Sequence, residues 1–216
     1  MNYARREELW GYIFLAPFLV LFLVFVLAPT VLAVVMSAVE WYNRQPVWVG
    51  LANISYILDD ERFWMALQNT LTYVAVYVPV AIALALAVAL NLSKLRSPRF
   101  RQTLQGAFYL PGVASLVAVA VVWRYIFNNE FGLLNYLLGL VGVAPLNWLG
   151  DTRTALLSLI IMDVFTGLGG SIIIFVAAVL GLPGELYDAA HIDGADGWRE
   201  TVYITLPLLT PSILYI

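Results

Sequence analysis

The chain has no cysteine and one histidine, His191. The first absence excludes disulfides and thiolate metal sites. The second leaves little basis for a histidine-built metal centre, since no acidic partner set stands out around that residue in the sequence. Charge is scarce too. Lys, Arg, Asp and Glu make up 12% of the chain, against about 25% in soluble domains. The net charge is −3, and no Lys/Arg-dense face exists for nucleic acid. There is no Gly-x-x-x-x-Gly-Lys-Ser/Thr loop, so ATP hydrolysis by this chain is not expected. What is present is apolar: 62% of residues are hydrophobic and the mean hydropathy is +0.86. These values describe an all-α integral membrane protein with no soluble domain hidden in it.

Four long apolar stretches follow one another. Leu9 to Val39 is free of charge and predicts a first span over about 10–36, bent by Pro17 and Pro29. Residues 40–62 are polar and aromatic, with Trp41, Tyr42, Trp48 and Tyr56 suited to an interfacial belt. Phe63 to Ser93 is again uncharged and predicts a second span over about 70–92. The third is expected at about 104–126 and the fourth at 154–180. Between them lies an external segment, 128–153, whose short apolar run 131–140 suits an interfacial or re-entrant helix. A fifth span opens at Leu208 and runs 208–216, incomplete at Ile216.

Two residues interrupt these spans. Pro111 lacks a donor and frees a carbonyl at membrane depth, which either lines a pathway or only aids packing. Asp163 lies about 13 Å into the fourth span. An ionised carboxylate there costs about 2.5–3.5 kcal/mol, so it must face protein or a watery cavity. A hydrogen bond to a neighbouring helix is the favoured reading, and a place on a solute pathway the other. The run Gly167-Leu168-Gly169-Gly170-Ser171 is read as close helix packing.

The late polar stretch, 184–207, differs from everything around it. Glu185 to Ile192 predicts a short helix, with Leu186, Ala189 and Ala190 on one face. Asp193-Gly194 predicts its stop, through a glycine in the left-handed region. A second helix is expected from Gly197 to Thr205, ended by Leu206-Pro207. Five acidic residues in 184–200 (Glu185, Asp188, Asp193, Asp196, Glu200) face one arginine, Arg199. Such a helix does not suit an anionic lipid surface and suits a protein partner better. An ordinary solvated loop would explain the charges but not the paired alanines and the two stops.

Asp188-Ala189-Ala190, three residues, Gly194, nine residues, then Ile204-Thr205-Leu206-Pro207 resembles the loop of permease subunits in bacterial binding-protein-dependent ABC importers. That family carries Glu where Asp188 stands. The flanking residues resemble its carbohydrate branch, the maltose-type and glycerol-phosphate-type permeases. The resemblance implies a type I importer permease fold, a polytopic helical bundle forming a single domain over 1–216 and truncated within its fifth span. It implies that the loop residues Glu185, Leu186, Asp188, Ala189, Ala190, Asp193, Gly194, Ile204, Leu206 and Pro207 couple to a cytoplasmic ATPase dimer. A second permease and an external solute-binding protein complete the complex, and ATP is held by the ATPases rather than by this chain. Pro111 and Asp163 are the candidates for the solute pathway. Seven basic residues fall on the implied inner side and four (Arg44, Arg62, Arg124, Arg153) on the outer. That asymmetry puts the N-terminus in the cytoplasm of a bacterial inner membrane. The rival readings are an ion-driven secondary transporter, for which no internal repeat is visible, and a membrane-embedded enzyme, for which the spans offer only Asp163.

Overall fold

The structure is a computed structural model that describes residues 3–192 and 194–216. The chain forms two compact units, Met1–Gln68 and Asn69–Ile216.

In the first unit, α1 (Tyr3–Phe22) passes through one π-helical turn (Leu23–Leu27) into α2 (Ala28–Met36). Pro29 explains the wide turn. Its ring would crowd the carbonyl four residues back, and it donates no hydrogen bond. The Ala28 N–H reaches back to Leu23 instead. Trp10–Met36 is long and apolar enough to span a membrane, and none of it is buried within the chain. A β-hairpin follows, β1 (Val39–Tyr42) against β2 (Gln45–Trp48), with Trp41 opposite Pro46. Its tight turn places Asn43 at φ 51° and Arg44 at φ 65°. The usual hairpin signal has glycine at the second of these places, so residues 40–62 did not announce strands. Asn53, on α3 (Ala52–Asp59), donates to the Ser37 and Val39 carbonyls and ties the hairpin base down.

α4 (Glu61–Ser93) is one unbroken helix. The lead-in and the span expected over 70–92 are thus one 33-residue helix. α5 (Pro98–Val113) starts at a Ser97 cap with Pro98 in its first turn, the position that tolerates a missing donor. α6 (Leu116–Ile126) follows after two extended residues, Ala114 and Ser115. The stretch expected as one span, about 104–126, is therefore a helix pair bent by 94°. The break falls three residues past Pro111. Among the described residues three helices are long and apolar enough to cross a membrane, or four if the bent pair counts as one span.

The short α7 (Leu133–Leu140) and α8 (Thr152–Leu180) complete the apolar part, α8 capped by Asp151. Asn135 is the buried knot of the segment between α6 and α8. Its amide donates to the Asn128, Asn129 and Leu146 carbonyls and accepts from the Leu146 N–H and the Trp148 indole. The core gathers Ala85, Leu86, Ala89 and Leu92 of α4 with Ile172, Phe175 and Val176 of α8 and Leu209. α5 packs most closely on α8, and glycine permits it. A Cβ at Gly169 would lie 2.5 Å from the Phe108 carbonyl oxygen. The glycine run is a packing device here, as its composition predicts.

α9 (Gly184–Ile192) matches the helix expected from Glu185 to Ile192. After it the chain turns into α10 (Trp198–Glu200), a π turn (Thr201–Thr205), α11 (Leu206–Leu208) and α12 (Thr210–Tyr215). Leu206-Pro207 does not stop the helix as expected. Pro207 is accommodated as Pro29 is, by the π turn before it: the Leu206 N–H reaches back to the Thr201 carbonyl, and the helix continues past the missing donor.

Candidate functional site: a mid-helix cavity and a polar hairpin

Tyr73 and Tyr77 stand four residues apart on α4, so they share a face. Their rings stack with centroids 5.3 Å apart and planes 17° from parallel. On α8, Asp163, Thr166, Gly167 and Gly170 fall at i, i+3, i+4 and i+7 and form the opposing face. The Tyr73 hydroxyl donates to Oδ2 of Asp163 at 2.5 Å. Tyr109, Pro111 and Gly112 of α5, the break at Ala114, and Leu116, Val119 and Ala120 of α6 close the rest. The result is a cavity of about 510 Å³. It exists because the chain turns away at 114–115, and because the wall glycines leave volume where side chains would stand. The small residues matter at close range: a Cβ at Gly167 would lie 3.0 Å from the Tyr77 hydroxyl.

Pro111 and Asp163, named separately from the sequence, thus line one cavity. Asp163 also makes the interhelical hydrogen bond that the packing reading calls for. The sequence reading missed Tyr73, Tyr77 and Thr166. The available signal was a pair of tyrosines one turn apart in an apolar span, in a chain with one acid inside its spans.

The polar hairpin is built around its turn. The Gly194 N–H donates to the His191 carbonyl, and the Ala195 N–H donates to the Ala190 carbonyl at 2.9 Å. That pair of bonds is the Schellman motif, which needs a left-handed residue at Gly194's place. Gly194 has φ +74°. Asp193 lies outside the described residues. His191 has acidic partners that the sequence did not suggest. Its Nδ1 lies 2.6 Å from Oδ1 of Asp196, and its Nε2 lies 3.8 Å from Oε2 of Glu200. One ring thereby bridges the turn to the helix after it. Tyr187 and the buried Thr205 add a second link, hydroxyl to hydroxyl at 3.2 Å.

The loop residues named from the sequence separate by exposure. Glu185, Leu186, Asp188, Ala189, Gly194 and Pro207 are exposed, and Ile204 and Leu206 are half-buried. Ala190 is 5% exposed. The Leu186, Ala189, Ala190 face is therefore split: Ala190 packs into its own chain, and only the first two remain open to a partner.

No family model matches the chain. Among characterised sequences it is 36% identical to the probable ABC transporter permease protein YesP of Bacillus subtilis (strain 168), over 98% of this chain and 68% of that protein. The chain belongs to the ABC transporter permease family. This permease is also 35% identical to the arabinooligosaccharides transport system permease protein AraP of Bacillus subtilis (strain 168), over 95% of its own length and 65% of AraP. It is 34% identical to the lactose transport system permease protein LacF of Rhizobium radiobacter, over 98% and 71% respectively. Two crystal structures share its fold at a TM-score of 0.80. One is a bacterial alginate ABC transporter in complex with an alginate pentasaccharide-bound periplasmic protein, 24% identical over 96% of this permease and 69% of that chain. The other is a bacterial ABC transporter involved in the import of the acidic polysaccharide alginate, 25% identical over 97% and 71%. The permease fits these as a multi-pass helical membrane protein, and its relatives are transport proteins.

Proposed function

We propose that this permease is the membrane subunit of an ATP-driven sugar importer and that the cavity between α4, α5, α6 and α8 is its solute passage. The observation that carries this reading is the convergence of Tyr73, Pro111 and Asp163 on one cavity midway along spanning helices. Polar groups in a span are costly, and a water-filled path is the usual setting for them. The sugar transport permeases among its relatives support the solute class.

The rest of the assembly follows the same reading. An external binding protein delivers the sugar, a second permease completes the passage, and a cytoplasmic ATPase dimer holds the ATP. This chain is not an enzyme and needs no cofactor of its own. The 184–207 hairpin is the lever. Its turn is pinned by the Gly194 motif and by His191, so it transmits a push from the ATPase as one body to the core at Leu209. The N-terminus lies in the cytoplasm of the bacterial inner membrane.

Uptake by the assembled transporter in proteoliposomes tests the proposal. Transport requires the binding protein outside and ATP inside, and survives collapse of ion gradients. Transport that follows an ion gradient and ignores ATP refutes it.

A further inference from the structure

The cavity carries one formal charge on its wall, and it is negative. Asp163 is half-buried on α8 and receives the Tyr73 hydroxyl on Oδ2. Tyr73, Tyr77, Tyr109 and Thr166 share the cavity wall with apolar side chains. Among the described residues no Lys, Arg or His lines the space.

This inventory treats two kinds of sugar differently. A solute carboxylate entering the cavity approaches the Asp163 carboxyl group, and like charges repel most where the dielectric is low. A neutral sugar meets no such repulsion. Its hydroxyls donate to the Asp163 carboxyl group and exchange hydrogen bonds with the tyrosines, while apolar wall atoms cover its ring faces.

We infer that Asp163 makes this passage selective for uncharged sugars over uronic acids, with Tyr73 as the residue that positions it. The inference rests on the cavity being the solute passage. It concerns wall chemistry and not architecture, since the alginate transporter shares the fold and serves an acidic polysaccharide.

The test reads occupancy of the cavity directly. The chain has no native cysteine, so Ala120→Cys, on the cavity wall, gives a single reporter in the assembled, otherwise cysteine-free transporter. Leu116→Cys, also on the wall, is a second reporter in case the first disturbs assembly. Modification by a thiol reagent is timed with lactose, maltotriose or arabinotriose, and with digalacturonate or trigalacturonate, at matched concentration and without the binding protein. At least one neutral sugar slows modification by about tenfold, equivalent to about 1.4 kcal/mol, while the galacturonates leave it unchanged. Asp163→Asn admits the galacturonates, and Asp163→Glu keeps them out. The inference is overturned if galacturonates protect the native permease as well as neutral sugars do, or if Asp163→Asn leaves their exclusion intact. If no sugar of either kind protects, the cavity is not the passage. That result removes the proposed pathway, and the inference falls with it.

Discussion

At the scale of residues, three glycines that look alike in composition have different work. Gly169 is buried, and a Cβ there would meet the Phe108 carbonyl oxygen and the Tyr109 Cα at 2.5 Å. Both are backbone atoms that cannot swing aside. Gly170 beside it has nothing within 4 Å. Gly169→Ala should therefore destabilise the permease by about 1–3 kcal/mol through overpacking. Gly170→Ala should be neutral or stabilise it by about 0.5–1 kcal/mol, because alanine is the better helix former. Thermal unfolding in detergent separates the two, and equal melting temperatures contradict the assignment. Gly194 differs again, because it has open space but φ +74°. Gly194→Val should strain the turn by about 1–2 kcal/mol. Transport then falls sharply while the protein still reaches the membrane, and normal uptake by the variant refutes the strain argument.

At the scale of elements, the hairpin's two alanines have distinct neighbours. Ala190 faces its own chain at 5% exposure, and Ala189 is open. Ala190→Trp should therefore lower the stability of the permease itself, by about 1–3 kcal/mol. Ala189→Trp should leave the melting temperature unchanged and reduce co-purification with the ATPase. Asp188→Asn should weaken that association only slightly, since an exposed charge pair contributes about 0–1 kcal/mol. Loss of ATPase binding in Asp188→Asn with none in Ala189→Trp reverses the assignment and makes the contact electrostatic. The other instructive element is the α5–α6 pair. Its 94° bend turns one apolar stretch into two walls of a cavity. A hydropathy profile does not register such a bend, because apolar content is the same on either side of it.

At the scale of the whole molecule, the distribution of basic residues sets orientation. Lys94, Arg96, Arg99 and Arg101 crowd the link between α4 and α5, whereas the 128–153 segment carries Arg153 alone. Arg96→Cys and Leu149→Cys replace exposed residues in those two places. An impermeant thiol reagent applied to intact cells should label the second and spare the first. Labelling of Arg96→Cys with sparing of Leu149→Cys contradicts the cytoplasmic placement of the hairpin, since α8 separates the 128–153 segment from it.

The amino-acid sequence by itself determined the membrane class, the approximate place of each long helix and the left-handed turn at Gly194. These are local quantities: summed hydropathy over a window, and the backbone freedom of one residue. The 188–207 spacing likewise sufficed to name the family that the comparisons then showed. Tertiary structure decided the rest. Tyr73 and Asp163 lie 90 residues apart, and no periodicity links them. They meet because α4 and α8 pack together through Ala85, Leu86 and Ala89 against Ile172, Phe175 and Val176, and the break at 114–115 leaves room beside them. Burial of Ala190 but not Ala189 depends on how the hairpin seats against its own bundle. His191 finds Asp196 and Glu200 only once the turn has folded back. Each of these is a relation between surfaces brought together by packing, and a one-dimensional pattern specifies the surfaces but not which of them will touch.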